Sequence, residues 1–293
     1  MTLISDDGTE TKARTRVSRR RETGMVSARS LLLTLLGEFV LPRRSPVWTA
    51  TLVDALAALN VEEKAARQAL ARASSEGLLT AEKIGRRTRW TLTAQGLQLL
   101  EEGAERIYGF LRERRQWDGR WLVLAVTVPE SQRQLRHRLR TRLTWAGMGS
   151  PASGLWVVPD GNRLAEISAI VRDLGVDKNA LSWVGPTAGI GQPQAVVEAA
   201  WSLDEVAAAY RAFTDAFADR TVTREGQAFV AQVELVQAWR RFPFIDPDLP
   251  AELLDEQWPG LVARDVFHRN HKRWHVRAQA RWDALCAEAE ARS

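Results

Sequence analysis

Residues 60–93 combine cationic and small side chains in a spacing suited to binding a polyanion. At about 100° per residue, one side of a predicted helix carries Ala66, Ala69, Leu70 and Ala73. The other side carries Lys64, Gln68, Ala71, Arg72 and Ser75, with Arg67 at its edge. Narrow side chains let a helix approach base edges in a DNA major groove, where guanidinium and amide groups form hydrogen bonds. This cationic face, Lys64 included, is therefore a candidate surface for binding DNA.

A predicted β-hairpin follows this helix, with extended runs over 78–84 and 88–93 joined by a turn at Gly85. Its cationic side chains are Arg86, Arg87 and Arg89. A basic hairpin can contact backbone phosphates or a narrowed minor groove. We predict that Arg67, Gln68 and Arg72 read bases, and that the three hairpin arginines hold phosphates. The alternative is a solvated amphipathic helix beside an ordinary charged hairpin.

Three predicted helices would position this surface. Ser27 is expected to cap the first helix, which ends at Pro42, and Thr49 to cap the second. Asn60, with Glu63 as its reciprocal acid, is expected to cap the third. Helices two and three then form a helix-turn-helix pair, and the hairpin is its wing.

A fourth helix is predicted to begin at Thr93, directly after the hairpin. Its apolar side chains recur at three and four residues: Leu97, Leu100, Ala104, Ile107 and Leu111. Such a seam either packs on its own domain or joins two copies of the chain.

Composition limits the classes of protein. The chain has 293 residues, enough for two or three domains. Its 41 basic and 36 acidic side chains give a net charge of +5, which favours a polyanionic partner. Cys286 is the only cysteine, so an internal disulfide is impossible. Because no apolar run reaches the roughly 18 residues of a membrane span, we expect no membrane partner and a cytoplasmic protein.

The remaining pattern predicts an α+β multidomain fold. We expect a disordered basic arm over 1–24 and a winged helix-turn-helix domain with its linker helix over 25–114. Residues 115–195 alternate strand, helix, strand, helix and strand. A further short strand near 147–150 would make this middle domain ferredoxin-like. Residues 196–293 show helical spacing throughout, which predicts an all-helical C-terminal domain.

His268, His271 and His275 share one face of the last predicted helix. Three imidazoles at this spacing are one arrangement that binds zinc or another transition metal. The cationic neighbours in FHRNHKRWHVR would oppose a divalent ion, however, and Asp265 is the only nearby acid. We therefore expect no metal, although the sequence leaves packed and metal-binding histidines as alternatives.

Several segments, in order along the chain, resemble the PaaX family, the repressors of phenylacetate catabolism. They are SARSLLLTLLGEF, ARQALARASSEGLL, IGRRTRWTLTAQG, GAERIYGF, WDGRW, LRHRLRTRLTWAGMGS, GLWVVPD and LPAELLDEQWPG. The resemblance implies a homodimer that binds a double-stranded DNA operator. It also implies a winged helix, a middle domain similar to Cas2, and a helical C-terminal domain. A coenzyme A thioester, typically phenylacetyl-CoA, is the implied effector that releases the operator.

Given that resemblance, the arginine-rich stretch 133–142 is a candidate effector site, because guanidinium groups bind phosphates and tryptophans stack on adenine. The predicted effector residues are Arg138, Arg142, Trp145 and Trp156. The same arginines are alternatively a second DNA-facing surface or a solvated helix face.

We expect no cofactor and no enzymatic activity. Cas2-like nucleases place an aspartate after their first strand, and here that strand ends in Thr127-Val128-Pro129-Glu130. Asp118 precedes the strand instead. A metal-dependent nuclease and a non-specific nucleic-acid-binding protein remain the alternatives.

Overall fold

The computed structural model describes residues 26–112 and 116–292. The predicted basic arm, 1–24, lies outside the described residues. None of the helices in the described part is long and apolar enough to cross a membrane.

The first part of the chain contains three helices, α1 (Ala28–Leu35), α2 (Thr49–Ala57) and α3 (Glu63–Ser75). Between α1 and α2 lie a π-helical segment, Leu36–Val40, and a two-residue strand, β1 (Val47–Trp48). The hairpin strands β2 (Leu79–Ile84) and β3 (Arg87–Leu92) follow, and the three strands form an antiparallel sheet in the order β1-β3-β2. Helix α4 (Ala94–Gly109) ends this region, which we call the head.

The helix ends agree with the sequence at some positions and differ at two. The Ser27 Oγ accepts a hydrogen bond from the Ser30 backbone N–H, and the Thr93 Oγ1 accepts one from Gly96, so the predicted starts of these two helices are confirmed. Thr49 as the cap of α2 is wrong, because α2 begins at Thr49 with Trp48 before it, and the Thr49 hydroxyl donates to the Thr88 carbonyl instead. Asn60 as the cap of α3 is wrong, because α3 begins at Glu63 with Glu62 before it. Asn60 has a φ of 61°, and the next N–H donates to Leu56. Asparagine tolerates this left-handed conformation, so Asn60 ends α2 instead.

The middle of the chain has the order β4 (Arg120–Val126), α5 (Arg133–Trp145), β5 (Gly149–Ala152), β6 (Leu155–Val158), α6 (Leu164–Asp173) and β7 (Ala180–Pro186). The fourth strand predicted near 147–150 is therefore present. These strands form one antiparallel sheet in the order β5-β6-β4-β7. One core packs α5 and α6 on this sheet, and a second joins Trp121 and Val157 to Val197, Leu249 and Leu253.

Helices make up the rest of the chain: α7 (Pro193–Ala200), α8 (Leu203–Phe217), α9 (Glu225–Trp239), α10 (Phe242–Ile245) and α11 (Gly260–Ala291). At 1.5 Å per residue, the 32 residues of α11 extend about 48 Å. Helical spacing over 203–220, 223–241 and 261–289 predicts α8, α9 and α11 to within a few residues. It did not predict α7 or the short α10.

A single hydrophobic core joins the head to α8, α9 and α11. Phe39 in the π-helical segment stacks on Trp282 of α11 with ring centroids 5.1 Å apart. Leu100, Ile107 and Leu111 of the α4 seam pack against the same core, which supports the first of the two alternatives for that seam. The domain limits drawn from the sequence stay a prediction. The head and the C-terminal helices share one hydrophobic core, so their packing does not mark a boundary between them.

Candidate nucleic-acid interface

Helix α3 has one packed face and one open face. Ala66, Ala69, Leu70 and Ala73 are at most 3% exposed, and small alanines let α1 and α2 approach closely. The opposite face is exposed along its whole length and consists of Lys64, Arg67, Gln68, Ala71, Arg72 and Ser75. The predicted division of the helix into two faces is thus confirmed. Gly77, with a φ of 74°, ends the helix and directs the chain into β2.

The polar side chains of this surface differ in whether they already have partners. Arg67 Nε lies 2.7 Å from Glu63 Oε1 on the same helix, and Arg89 Nε lies 2.8 Å from Glu82 Oε2 across the hairpin. The structure gives no side-chain hydrogen bond or ion pair between described residues for Lys64, Gln68, Arg72 and Arg86. These four side chains can bind a ligand without first breaking a side-chain hydrogen bond or ion pair within the described chain.

Arg87 is placed differently from the other hairpin arginines. Its guanidinium lies over the ring of Trp48, 3.9 Å from the centroid, and donates to the backbone carbonyl of Ala289 near the end of α11. Arg87 pairs with Ile84 at the tip of the hairpin, so these contacts fasten the tip to the C-terminal helix. Its predicted phosphate contact stays a prediction, and it would require the guanidinium to leave these partners.

A buried polar cluster surrounds Glu38 of the π-helical segment. Glu38 is only 6% exposed and accepts hydrogen bonds from Gln232 Nε2 at 2.8 Å and from the hydroxyl of Tyr108. His271 Nε2 lies 2.9 Å from the same carboxylate. Through the Glu38 carboxylate, this cluster connects the π-helical segment and α4 of the head with α9 and α11. Sequence reasoning missed it, and an acid within the apolar run LLLTLLGEFVL was the only signal.

The three histidines of α11 contact neighbouring side chains. His271 contacts Glu38, His275 lies beside His271 with ring centroids 5.6 Å apart, and His268 packs edge-on against Phe267. Burial is the main cause that lowers the pKa of both His268 and His275. In the described part of the chain, no group of three or more His, Cys, Asp or Glu side chains is arranged to hold a metal ion.

The four predicted effector residues are not brought together. Arg142 pairs with Asp173 of α6 at 2.9 Å, and Trp145 is 79% exposed at the end of α5. Arg138 lies four residues before Arg142, on the same flank of the helix and exposed to solvent. Only Trp156, which is 6% exposed, lines a cavity.

That cavity is part of a groove along the other flank of α5. Two adjoining cavities of about 790 and 630 Å³ share Arg140, Ser150 and Trp156. Arg133 and Arg136 line the smaller one. The larger one is lined on its far side by Trp201, Arg241, Phe244 and Ile245. The groove thus has three arginines at one end. At the other, aromatic and apolar side chains lie among the charged Glu198, Glu205 and Arg241, on the segments around α7 and α10.

The sequence matches models of known protein families. Family models match three consecutive stretches: a PaaX-like protein model over residues 27–96, the PaaX protein central Cas2-like domain over 114–197, and the PaaX-like protein C-terminal domain over 201–284. The transcriptional repressor PaaX of Escherichia coli (strain K12) is 32% identical over 253 residues, which are 82% of this chain and 78% of that protein. The chain belongs to the PaaX family. The resemblance seen in its motifs is confirmed, as is the Cas2-like middle domain.

A solved structure has a related fold. The PaaX-family chain superposes on the uncharacterized protein Rv0674 from Mycobacterium tuberculosis with a TM-score of 0.61, at 23% sequence identity, over 87% of this chain and 98% of that one. This similarity shows the shared fold. The relative from E. coli is a transcriptional repressor rather than an enzyme, which supports the expectation that the present chain is not an enzyme.

Proposed function

We propose that this protein is a transcriptional repressor whose head is a winged helix-turn-helix that binds double-stranded DNA. The observation that carries the proposal is α3 itself, a helix whose alanine face is buried and whose cationic face is open beside a basic hairpin. The order of helices and the β1-β3-β2 sheet suit such a head, in which the second helix of the pair enters the major groove. The repressor named among its relatives supports the same function.

In this proposal, some exposed side chains of α3 and the hairpin contact DNA bases, and others contact phosphates. Arg67, Gln68 and Arg72 lie at a spacing that lets all three reach base edges from one face of α3. Lys64 and Arg86 hold phosphates, and Arg89 joins them when it exchanges Glu82 for the DNA backbone. Arg87 acts at the tip of the hairpin, where it holds the wing against α11.

We also propose that the effector is an aryl-acyl-CoA thioester, such as phenylacetyl-CoA, bound in the groove along α5. Arg133, Arg136 and Arg140 would hold the phosphates, because guanidinium groups form bidentate contacts with phosphate oxygens. Trp156 and Trp201 would stack on the adenine or the aryl group, with Phe244 beside them. This assignment keeps Trp156 and replaces Arg138, Arg142 and Trp145, which lie outside the groove.

The repressor would bind its operator as a homodimer, with half-sites about one or two helical turns apart. Effector binding between the middle region and the C-terminal helices would favour a dimer geometry that no longer matches this spacing. A coupling of about 1–3 kcal/mol is typical for such linkage and corresponds to a 5- to 150-fold loss of operator affinity. A DNA partner is also consistent with the expected cytoplasmic location.

The test is a gel-shift titration on DNA upstream of the protein's own gene, at fixed salt, with and without phenylacetyl-CoA. We expect a specific shift that the thioester reverses in the wild type. Arg140→Gln should keep the shift and lose the reversal, whereas Arg138→Gln, on the other flank of α5, should keep both. A shift that bulk DNA removes completely would contradict the repressor, and reversal that survives Arg140→Gln would contradict the groove.

A further inference from the structure

Helix α11 carries a second cationic surface, apart from the head and from the groove. Between Val266 and Trp282 the helix contains no aspartate or glutamate. Four exposed cations lie on its outer side in this interval, and we call them the α11 stripe: Arg269, Lys272, Arg273 and Arg277. The opposite side of the helix is buried in the shared core through Asn270, Trp274 and Ala278. The stripe is therefore the solvent face of a helix that is otherwise packed.

The charge of the stripe is not neutralised within the described chain. Asp265 and Asp283 lie on the same side at its two ends, but they pair with Arg264 at 2.7 Å and with Arg43 at 2.6 Å. The structure gives no ion pair between described residues for any of the four stripe cations. Arg269, Arg273 and Arg277 are moreover four residues apart, a spacing at which like charges destabilise a helix. A face retained at this cost suits a polyanionic ligand.

The far end of α11 is fixed to the head. Arg87 donates to the carbonyl of Ala289, Arg292 pairs with Asp54 of α2 at 2.8 Å, and Arg43 pairs with Asp283. The stripe lies 12 to 20 residues before Ala289, which is about 18–30 Å along the helix axis at 1.5 Å per residue. Because the tip of the hairpin and the helix are joined, the stripe keeps a constant distance from the wing.

We infer that the α11 stripe binds the phosphate backbone of the DNA that flanks the operator. The inference rests on the proposed function, since the head must first bind DNA. Charge complementarity and the fixed connection between α11 and the wing favour DNA as the occupant of the stripe. At 3.4 Å per base pair, a distance of about 18–30 Å corresponds to about five to nine base pairs beyond the wing. The contact is to phosphates and carries no sequence information.

The experiment compares two versions of the full-length protein on duplexes with and without flanks of about ten base pairs. The stripe variant is Lys272→Gln, Arg273→Gln and Arg277→Gln. The control is Arg172→Gln, Lys178→Gln and Arg211→Gln, three exposed cations elsewhere that change the net charge equally. Each lost phosphate contact lowers the slope of log K against log salt by about 0.9. On the flanked duplex, we expect the stripe variant to lower this slope by about 2.7 and the control to leave it nearly unchanged.

That difference in slope means that, between 50 and 200 mM salt, the wild type loses about 40-fold more affinity than the stripe variant. On the duplex without flanks, the wild type and the stripe variant should have similar slopes. Specific binding with equal slopes for the stripe variant and the control on flanked DNA would overturn this inference and leave the repressor intact. Failure of the wild type to prefer any sequence would instead overturn the proposed function.

Discussion

Glu82→Gln is expected to strengthen DNA binding. Glu82 forms an ion pair with Arg89, and the proposal assigns the Arg89 guanidinium to a DNA phosphate. Glu82 and Arg89 face each other across the hairpin, with 2.8 Å between Oε2 and Nε, and their side chains are 55% and 37% exposed. An exposed pair of this kind stabilises a protein by about 0.2–1 kcal/mol. DNA binding must overcome that amount before Arg89 can contact a phosphate.

Removing the carboxylate removes this cost and one negative charge beside the DNA. Affinity should therefore rise by up to about 1 kcal/mol, or roughly fivefold, on operator and mixed-sequence duplexes alike, because phosphates carry no sequence information. Fluorescence anisotropy with labelled duplexes at several salt concentrations measures the change. Because the proposal gives Arg89 the same phosphate contact in both proteins, the slope of log K against log salt should change by less than the 0.9 or so of a whole contact.

The matched control is Glu234→Gln. Glu234 pairs with Arg220 at 2.7 Å on the C-terminal helices, with side chains 48% and 32% exposed, so the loss of charge and of an ion pair is equivalent. Unfolding in urea should show a similar small loss of stability for both variants. The reasoning would be refuted if Glu82→Gln bound DNA no more tightly than Glu234→Gln.

Three further predictions concern other parts of the molecule. Arg72→Ala should lower operator affinity by about 1–3 kcal/mol and change the preferred bases selected from randomised duplexes; an unchanged selection would count against base reading. Glu38→Ala should lower the free energy of unfolding by roughly 1.5–3 kcal/mol, because buried hydrogen-bond donors lose a carboxylate; urea titration, with the exposed Glu101→Ala as control, measures it. Burial raises the pKa of Asp246 from 3.8 to about 6, against hydrogen bonds from Tyr210 and the Asp248 N–H that lower it. Because the folded-state pKa is the higher one, Asp246 contributes stability that is present below pH 3.8 and lost as the pH rises through 6, on the order of 3 kcal/mol. Asp246→Asn should flatten the pH dependence of unfolding over this interval, and an unchanged curve would show that another group titrates.

The local structure of the head could largely be predicted from the sequence. The alanines and cations of α3 alternate with a helical period, so the buried and open faces followed directly from residue order. Asn60 was assigned wrongly because asparagine is favoured both before a helix and in the left-handed conformation after one. Only the backbone of the turn between α2 and α3 distinguishes the two.

The partners of distant segments could not be predicted. The contacts of Phe39 with Trp282 and of Arg87 with Ala289 join residues more than 200 positions apart, and one sequence holds no signal for such pairs. For the same reason, the sequence did not indicate which arginines of α5 line the groove. Arginines surround α5 on several sides, and only the position of the segments around α7 and α10 shows that the flank with Arg140 borders a cavity.

The central claim is that α3 recognises a specific DNA sequence. The most direct measurement is the ratio of affinities for an operator selected from randomised duplexes and for a scrambled duplex of equal length, at one fixed salt concentration. We expect a ratio of about 10³ or more for the wild type and a large fall in that ratio for Gln68→Ala and Arg72→Ala. Equal affinity of the wild type for both duplexes would contradict it.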